Sequence, residues 1–451
     1  MKIEFIKRGA ATRLILLFAG WSTDARYYSD CVIDGWDTAV VSDYRDLSMP
    51  DLPQQYSTIY VFAYSLGVWA ASRCNLKAAA KIAICGSPVP VSDDFGIPEA
   101  IFKATADGLT AESLKKFHRR MAGDRASMQR MDSRLPDSPD ISALKDELLA
   151  IAEGQGQKES VCRWDKAYIA TKDRIFPVDN LDRYWDMHPE TVKVKINSSH
   201  AIDISQIIKD VVPNLAAIEE GFSSAVATYN ANALVQEEIC RRMGEIIAGI
   251  IAEKSPSIHS LLEIGAGQGL LTETWRRILR PSKATFVDLL PMPYFGVSEN
   301  DEYIVADAEE WLRNSSAKYD VILSASTIQW FADPVGFIRT VRQHLNPGGF
   351  AVISTFAKGN LHELDSIRPC PLIYRTAKEY KEIPGINVEE WDRTLTFSSP
   401  REMLMHLRLT GVTPRRASSP VPLTALPTEL TYRPLILIIG ASPIHLKSSK
   451  L

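Results

Sequence analysis

Ser65 closes the apolar run STIYVFAYS, and the chain passes at once through Leu66-Gly67 into the helical pattern VWAAS. A serine at so sharp a strand-to-helix turn needs small flanking residues and has its hydroxyl pushed out at the end of a sheet, which suits a nucleophile. Ala63 stands where a first glycine is usual, a departure that a small side chain accommodates. Serines in such turns also serve as plain helix caps, so the partners must decide. In a hydrolase of this design the acid and then the histidine follow the serine along the chain. Asp173 comes just after the run KAYIAT and His200 just after TVKVKI, each on a loop at a strand's C-terminal end. His200 would take the proton from Ser65, and Asp173 would fix its tautomer, with Asp179 or Asp182 as the fallback acid. The remaining histidines, including His118 and His188, read as surface or structural. Two backbone N–H groups should receive a developing oxyanion, and Leu66, next to the nucleophile, and Trp21, after Phe18-Ala19-Gly20, are the candidates.

A second group of residues points to different chemistry. Glu263-Ile264-Gly265-Ala266-Gly267-Gln268-Gly269 follows a short apolar strand and opens the helical pattern LLTETWRRIL. The spacing E-x-G-x-G-x-G differs from the G-x-G-x-x-G turn that cradles a dinucleotide pyrophosphate. Asp288 ends the next strand, ATFVD, where a carboxylate can accept both hydroxyls of a ribose. Asp307-Ala308 follows YIVA and suits an adenine amino group. Ser324 closes YDVILS, and the loop Ala325-Ser326-Thr327-Ile328-Gln329-Trp330 stands where it would cover donor and acceptor. In this order the elements predict a site for S-adenosylmethionine.

Both sets need α/β sheets to position them. RLILLF, TAVVSDY, STIYVF, KIAICG, KAYIAT and TVKVKI read as the strands of one parallel sheet. Between about residues 87 and 160 the rhythm gives way to a polar, helix-rich stretch, which predicts an inserted lid. IDISQIIKDVVPNLAAIEE reads as a continuing helix, and HSLLEIGAG, ATFVDLL, YDVILSAS, GFAVISTF and RPLILIIG then build a second parallel sheet. The junction falls near residues 212–221, dividing a domain of residues 1–215 from one of residues 216–451.

Bulk properties agree with two ordinary globular domains. The 451 residues exceed what one core usually organises, and 45% hydrophobic with 24% charged residues is unremarkable for a globular chain. A net charge of −4 offers no global attraction for nucleic acid or an anionic membrane. The N-terminal apolar stretch is too short for a secretion signal, and no run approaches a membrane span. Cys31, Cys74, Cys85, Cys162, Cys240 and Cys370 form no CxxC pair or metal-ligand cluster, which predicts free thiols in a reducing cytoplasm, with no metal site.

The N-terminal half, through FAGWSTDARYY, FAYSLGVWAAS, KDRIFPVDNLDRYW and the late His200, resembles the BioG-type pimeloyl-acyl-carrier-protein methyl ester esterases of biotin synthesis. The C-terminal half, through FSSAVATYNANALVQEE, LLEIGAGQGLLTE, STIQWFADP, LNPGGFAVISTFAKGNLHEL and LTYRPL, resembles the BioC-type malonyl-acyl-carrier-protein O-methyltransferases. Asn230 stands where an acidic residue commonly follows the tyrosine. The resemblance implies an α/β-hydrolase with a helical lid, followed by a class I, Rossmann-like S-adenosylmethionine-dependent methyltransferase. It implies a protecting-group cycle: one half would methylate the carboxylate of a malonyl thioester, on acyl carrier protein or coenzyme A. The other would remove the methyl from the pimeloyl methyl ester thioester after elongation.

An acyl carrier protein is an acidic partner in these families, so the lid segment Lys115-Lys116-Phe117-His118-Arg119-Arg120 is a candidate docking surface, with Lys115, Lys116, Arg119 and Arg120 as its cations. Two other readings stay open on sequence: that only one half catalyses and the other binds, or that both act on small carboxylates.

Overall fold

The computed structural model describes residues 1–154, 156, 163–226, 228–291, 295–365, 370, 372–410 and 426–440. The chain divides into two compact units, Met1–Val212 and Pro213–Leu451.

Unit 1 is built on seven strands: β1 (Lys2–Lys7), β2 (Arg13–Phe18), β3 (Asp37–Ser42), β4 (Thr58–Tyr64), β5 (Ala80–Ile84), β6 (Lys166–Ala170) and β7 (Val192–Ile196). They lie in the order β1-β3-β2-β4-β5-β6-β7. The six runs expected as strands, β2 to β7, pair in parallel throughout, and β1, which was not among them, adds an antiparallel edge beside β3. Every residue of β2 is buried, as a strand covered on both faces requires. Strand order reverses between β2 and β4, the place where open α/β sheets leave a crevice at their strands' C-terminal ends.

Helix α1 (Gly67–Arg73) follows β4. Between β5 and β6 lie four lid helices, α2 (Glu99–Asp107), α3 (Ala111–Ala122), α4 (Arg125–Asp132) and α5 (Ile141–Gly154); the end of the predicted lid, 157–160, lies outside the described residues. Helices α6 (Val178–Asp186) and α7 (Ile204–Val211) complete the unit.

The helix expected to run on through IDISQIIKDVVPNLAAIEE is interrupted. Val212 is extended at ψ 127°, and α8 (Leu215–Ala225) starts anew after an Asn214 cap. Pro213 lacks an amide N–H and pushes the residue before it out of helical geometry, which accounts for the break.

In unit 2, α9 (Tyr229–Asn232) and α10 (Leu234–Lys254) precede a second seven-stranded sheet. Its strands are β8 (Ser260–Ile264), β9 (Lys283–Asp288), β10 (Glu302–Val305), β11 (Tyr319–Ser324), β12 (Leu345–Phe356), β13 (Ile386–Glu390) and β16 (Pro434–Ile439). A small ribbon pairs β14 (Arg393–Thr396) with β15 (Glu429–Tyr432). The order is β10-β9-β8-β11-β12-β16-β13, and the reversal falls between β8 and β11. β16 runs antiparallel to both β12 and β13, which corrects the expectation that RPLILIIG extends a parallel sheet.

Helices α11 (Leu270–Arg276), α12 (Ala308–Asn314) and α13 (Pro334–Gln343) connect the parallel strands. Among the described residues no helix is long and apolar enough to cross a membrane.

Candidate functional site

The crevice of unit 1 gathers three residues that span 135 positions of the chain. Ser65 sits at the tip of β4 with φ +56°, a left-handed conformation that a non-glycine residue adopts only when its surroundings hold it there. Its amide N–H donates to the Ile84 carbonyl at 2.8 Å, which pins the turn to the neighbouring strand. Ser65 Oγ lies 3.0 Å from His200 Nε2, and His200 Nδ1 lies 2.7 Å from Asp173 Oδ2. With the carboxylate accepting from Nδ1–H, the lone pair of the ring faces the serine. The other Asp173 oxygen accepts the amide N–H groups of Ile175 (2.7 Å) and Phe176 (3.0 Å), so the acid is itself held in place. Phe176 lies parallel to the His200 ring at 6.3 Å. Asp179 and Asp182, the fallback acids, lie on α6, and Asp182 pairs with Lys193 and Lys195 instead.

The loop after β2 abuts the nucleophile. A Cβ placed on Gly20 would stand 2.7 Å from the Tyr64 ring and 3.4 Å from Ser65 Cβ, so only glycine lets the backbone come this close. Neither the Trp21 nor the Leu66 amide N–H has a hydrogen-bond partner among the described residues. Both are buried, and two unpaired donors next to Ser65 are what an oxyanion would need.

The lid is tied to this machinery. Trp21 meets Phe117 of α3 edge-on at 5.0 Å, and its indole N–H donates to the Leu144 carbonyl of α5 at 3.0 Å. His118 Nε2 lies 2.9 Å from the hydroxyl of Ser22, a residue also held at positive φ, and burial pushes the His118 imidazole down to about 4. One turn further along α3 the Met121 carbonyl accepts the Ala201 amide N–H at 3.1 Å, beside His200. Lys115, Lys116 and Arg119 are exposed on the outer face, with Lys116 paired to Glu112 at 2.8 Å. Arg120 departs from the expected docking row: it is half-buried, its guanidinium lies over Phe117 at 5.6 Å, and its Nε is enclosed. The reason is helical spacing, since a residue three positions after Phe117 shares its face.

In unit 2 the glycine turn stands at the sheet's reversal point, after β8. Gly265, Gly267 and Gly269 all have positive φ, +66°, +50° and +81°. A Cβ on Gly265 would fall 2.1 Å from the Thr327 hydroxyl, so the loop after β11 rests directly on the turn. A Cβ on Gly267 would meet nothing within 4 Å, which leaves that side open for a ligand to approach the backbone. Asp288 accepts the Gly267 amide N–H at 2.7 Å and the Leu290 amide N–H at 2.8 Å, and burial raises its carboxyl above the ordinary range. A carboxylate has about four acceptor sites, so two remain for other donors. Asp307 caps α12 by accepting the Glu309 N–H at 3.0 Å, and with Ala306, Glu310 and Trp311 it lines a surface groove of about 390 Å³; Ala308 beside it is buried.

Two residues expected at the ligand are turned elsewhere. One oxygen of Glu263 accepts from Thr272 (2.8 Å) and the Trp275 indole (2.6 Å), which ties the start of the turn to α11, and burial pushes its carboxyl up to about 7. The Ser324 hydroxyl donates to the Ile264 carbonyl at 2.9 Å, stitching β11 to β8. Both hold the turn in shape from behind it.

Comparison with known proteins fits these two sites in turn. Residues 1–205 match the family model described as pimeloyl-ACP methyl esterase BioG, and residues 234–394 match a model described as a methyltransferase domain. A malonyl-[acyl-carrier protein] O-methyltransferase of Bacteroides fragilis is 32% identical over 418 residues, which cover 88% of this chain and 84% of the relative. The chain belongs to that family. The corresponding enzyme of Porphyromonas gingivalis is 34% identical over 199 residues, 43% of this chain and 76% of the relative. The crystal structure of BioG from Haemophilus influenzae shares 31% identity and covers 45% of this chain and 94% of its own, with a TM-score of 0.42. This member of the methyltransferase family thus carries a BioG-type half ahead of its methyltransferase domain.

Three residues at the unit 1 site went unnoticed in the motifs. Tyr64 donates its hydroxyl to the His200 carbonyl at 2.8 Å, Ser22 meets His118, and the Cys85 thiol stands within 4.8 Å of the nearest Asp173 and His200 ligand atoms. The buried place of Ser22's partner, His118, did leave a trace in the sequence. With Leu114 and Met121 it forms an i, i+4, i+7 stripe, which marks the buried face of a helix.

Proposed function

We propose that unit 2 methylates the free carboxylate of a malonyl thioester and that unit 1 hydrolyses the methyl ester of a pimeloyl thioester, each presented by acyl carrier protein. The chain would thereby add and later remove one protecting methyl group on the way to biotin. The observation that carries this reading is the aligned Ser65–His200–Asp173 array in a chain whose other unit sets an open glycine turn against Asp288.

In unit 1, Ser65 Oγ attacks the methyl ester carbonyl while His200 Nε2 takes its proton, and Asp173 stabilises the imidazolium. The carbonyl oxygen gains a negative charge in reach of the Trp21 and Leu66 N–H groups, where each well-placed donor is worth roughly 2.7–4 kcal/mol in the transition state. His200 then returns the proton to the leaving methoxide, methanol departs, and water repeats the sequence on the acyl-serine to release the carboxylate. The exposed Lys115, Lys116 and Arg119 would steer the acidic carrier, while Arg120 braces Phe117.

In unit 2, S-adenosylmethionine supplies an electrophilic methyl group. The residues present fit it: Gly267 leaves its backbone approachable, Asp288 has acceptors left for ribose hydroxyls, and Asp307 with Ala308 lies along the adenine side of the same sheet edge. A carboxylate of ordinary pKa, about 4, is ionised at neutral pH, so the protein needs no general base. Its task is alignment of acceptor and donor, which can contribute roughly 7–11 kcal/mol. Capping the carboxylate hides a charge that apolar elongation sites would otherwise have to desolvate.

The test offers the full chain two carrier-bound substrates and follows them by mass spectrometry. Malonyl carrier with methyl donor should gain one methyl, and pimeloyl methyl ester carrier should lose one. Turnover confined to the free acids and small esters would overturn the carrier-bound reading.

A further inference from the structure

The loop after β11 buries two polar groups that find no partner among the described residues. Ser326 Oγ and Trp330 Nε1 are both enclosed, and neither makes a hydrogen bond to them. Buried donors without acceptors cost free energy, and they persist where a ligand satisfies them. Ser326 is in addition held at φ +52°, with its amide N–H donating to Ser354 Oγ at 2.9 Å and its carbonyl accepting from the Gln329 side chain at 2.6 Å. The backbone strain and the orphan hydroxyl thus fall on one residue.

The position of the loop bears on what that ligand is. It leaves β11 at the reversal point of the sheet, and its Thr327 packs on Gly265 of the glycine turn. Trp330 meets Phe222 of α8 edge-on at 5.5 Å, and Gln268 of the glycine turn bonds the Val226 carbonyl at the end of the same helix. Phe222 and Val226 are four residues apart, one helical turn of about 6 Å. Trp330 and the glycine turn therefore both pack on the C-terminal end of α8.

The loop holds no cation: Ala325, Ser326, Thr327, Ile328, Gln329 and Trp330 are all neutral. Neutral donors suit a carboxylate that is about to become an ester. The donor's positive charge already offsets the anion, whereas a fixed arginine would hold the attacking oxygen and be left unpaired once the ester formed.

We propose that Ser326 Oγ–H and Trp330 Nε1–H bind the spectator oxygen of the substrate carboxylate, leaving the other oxygen free to face the methyl donor. This rests on the reading of unit 2 as a carboxyl methyltransferase.

The test uses Trp330→Phe, which keeps the contact with Phe222, and Ser326→Gly, which suits the positive φ. Calorimetry in the presence of S-adenosylhomocysteine compares malonyl and acetyl thioesters on the same carrier protein. The parent should prefer malonyl, and each variant should lose roughly tenfold of that preference, a typical size for a hydrogen bond to a charged group. Affinity for acetyl carrier and for S-adenosylhomocysteine should stay unchanged. An intact malonyl preference in both variants overturns the proposal, as does a parallel loss for malonyl, acetyl and S-adenosylhomocysteine, which would mark the two residues as structural. If the parent methylates malonyl carrier and the variants bind it normally, only the receptor assignment falls. If the parent neither prefers nor methylates malonyl carrier, the carboxyl-methyltransferase reading falls with it.

Discussion

The phenol of Tyr64 donates a 2.8 Å hydrogen bond to the backbone carbonyl of His200. The residue before Ser65 therefore holds the loop that carries His200, so a single strand end positions both. Tyr64 is fully buried, which raises its pKa well above the ordinary range and keeps it a neutral donor. Tyr64→Phe leaves that carbonyl with only the Ile202 N–H at 2.8 Å, a loss of one hydrogen bond worth about 0.5–1.5 kcal/mol. We expect kcat for a small methyl ester to fall about two- to tenfold with little change in KM. Steady-state kinetics decide it, and an unchanged kcat would mean that the rest of the His200 loop suffices.

Ser65→Ala should abolish ester hydrolysis and leave methyl transfer at the parent rate, because the two sites lie in separate compact units. Both activities are measured on the same preparation. Loss of methyl transfer in a folded Ser65→Ala protein would show that the units do not work independently.

Asp288→Ala removes the carboxylate that accepts from Gly267 and would accept from the ribose. Hydrogen bonds to a charged acceptor are worth roughly 1.5–3 kcal/mol. S-adenosylhomocysteine should bind at least tenfold more weakly in calorimetry, with Asp288→Asn intermediate. An unaltered affinity would place the ribose elsewhere.

Reversing the exposed lid cations, Lys116→Glu with Arg119→Glu, should slow hydrolysis of the carrier-bound ester several-fold and spare a small methyl ester. High salt should mimic the change in the parent. Arg120 is left alone, since its place over Phe117 would confound docking with packing. Equal slowing on both substrates would point to a displaced lid, and no slowing on either would make the patch ordinary surface.

Glu147 of the lid helix α5 accepts the Tyr44 amide N–H at 2.9 Å, and burial pushes its carboxyl up to about 7. Below about pH 4.5 the group is protonated whether the unit is folded or not. Between there and about pH 7 the unfolded chain loses the proton while the folded one keeps it, so the stability this group contributes falls as pH rises through that window. Glu147→Gln keeps an acceptor for Tyr44 and cannot ionise. The variant should resist heat inactivation of the esterase better than the parent at about pH 8 and no better at about pH 4.5. The reverse order at high pH would mean that the ionised carboxylate gains more from Tyr44 than burial costs it.

The Ser65–His200–Asp173 array was legible because its members lie at strand ends in a fixed chain order, and order survives in a sequence. The glycine turn was legible for the same reason: Gly265, Gly267 and Asp288 follow successive strands. Side-chain direction was not. Glu263 lies inside the motif yet faces α11, because Thr272 and Trp275 come round the helix to meet it. Strand direction was equally hidden: PLILII is buried throughout, and an all-apolar run fits a parallel or an antiparallel slot. The basic cluster on α3 read as one patch, although helical spacing separates Arg120 from Lys115, Lys116 and Arg119. Ser326 and Trp330 carried no signal, since an orphan donor exists only once the surrounding chain has closed over it.

Helix α3 is gripped over its C-terminal turn, by Ser22 at His118 and by Ala201 at Met121. Lifting it would free the loop bearing Trp21 and the loop bearing His200 in the same motion. That turn and the reaction centre thus belong to one cooperative unit. The turn cannot lift on its own. A tethered acyl chain would have to thread beneath it, and an enzyme molecule caught with its lid raised would be a molecule with its catalytic array undone.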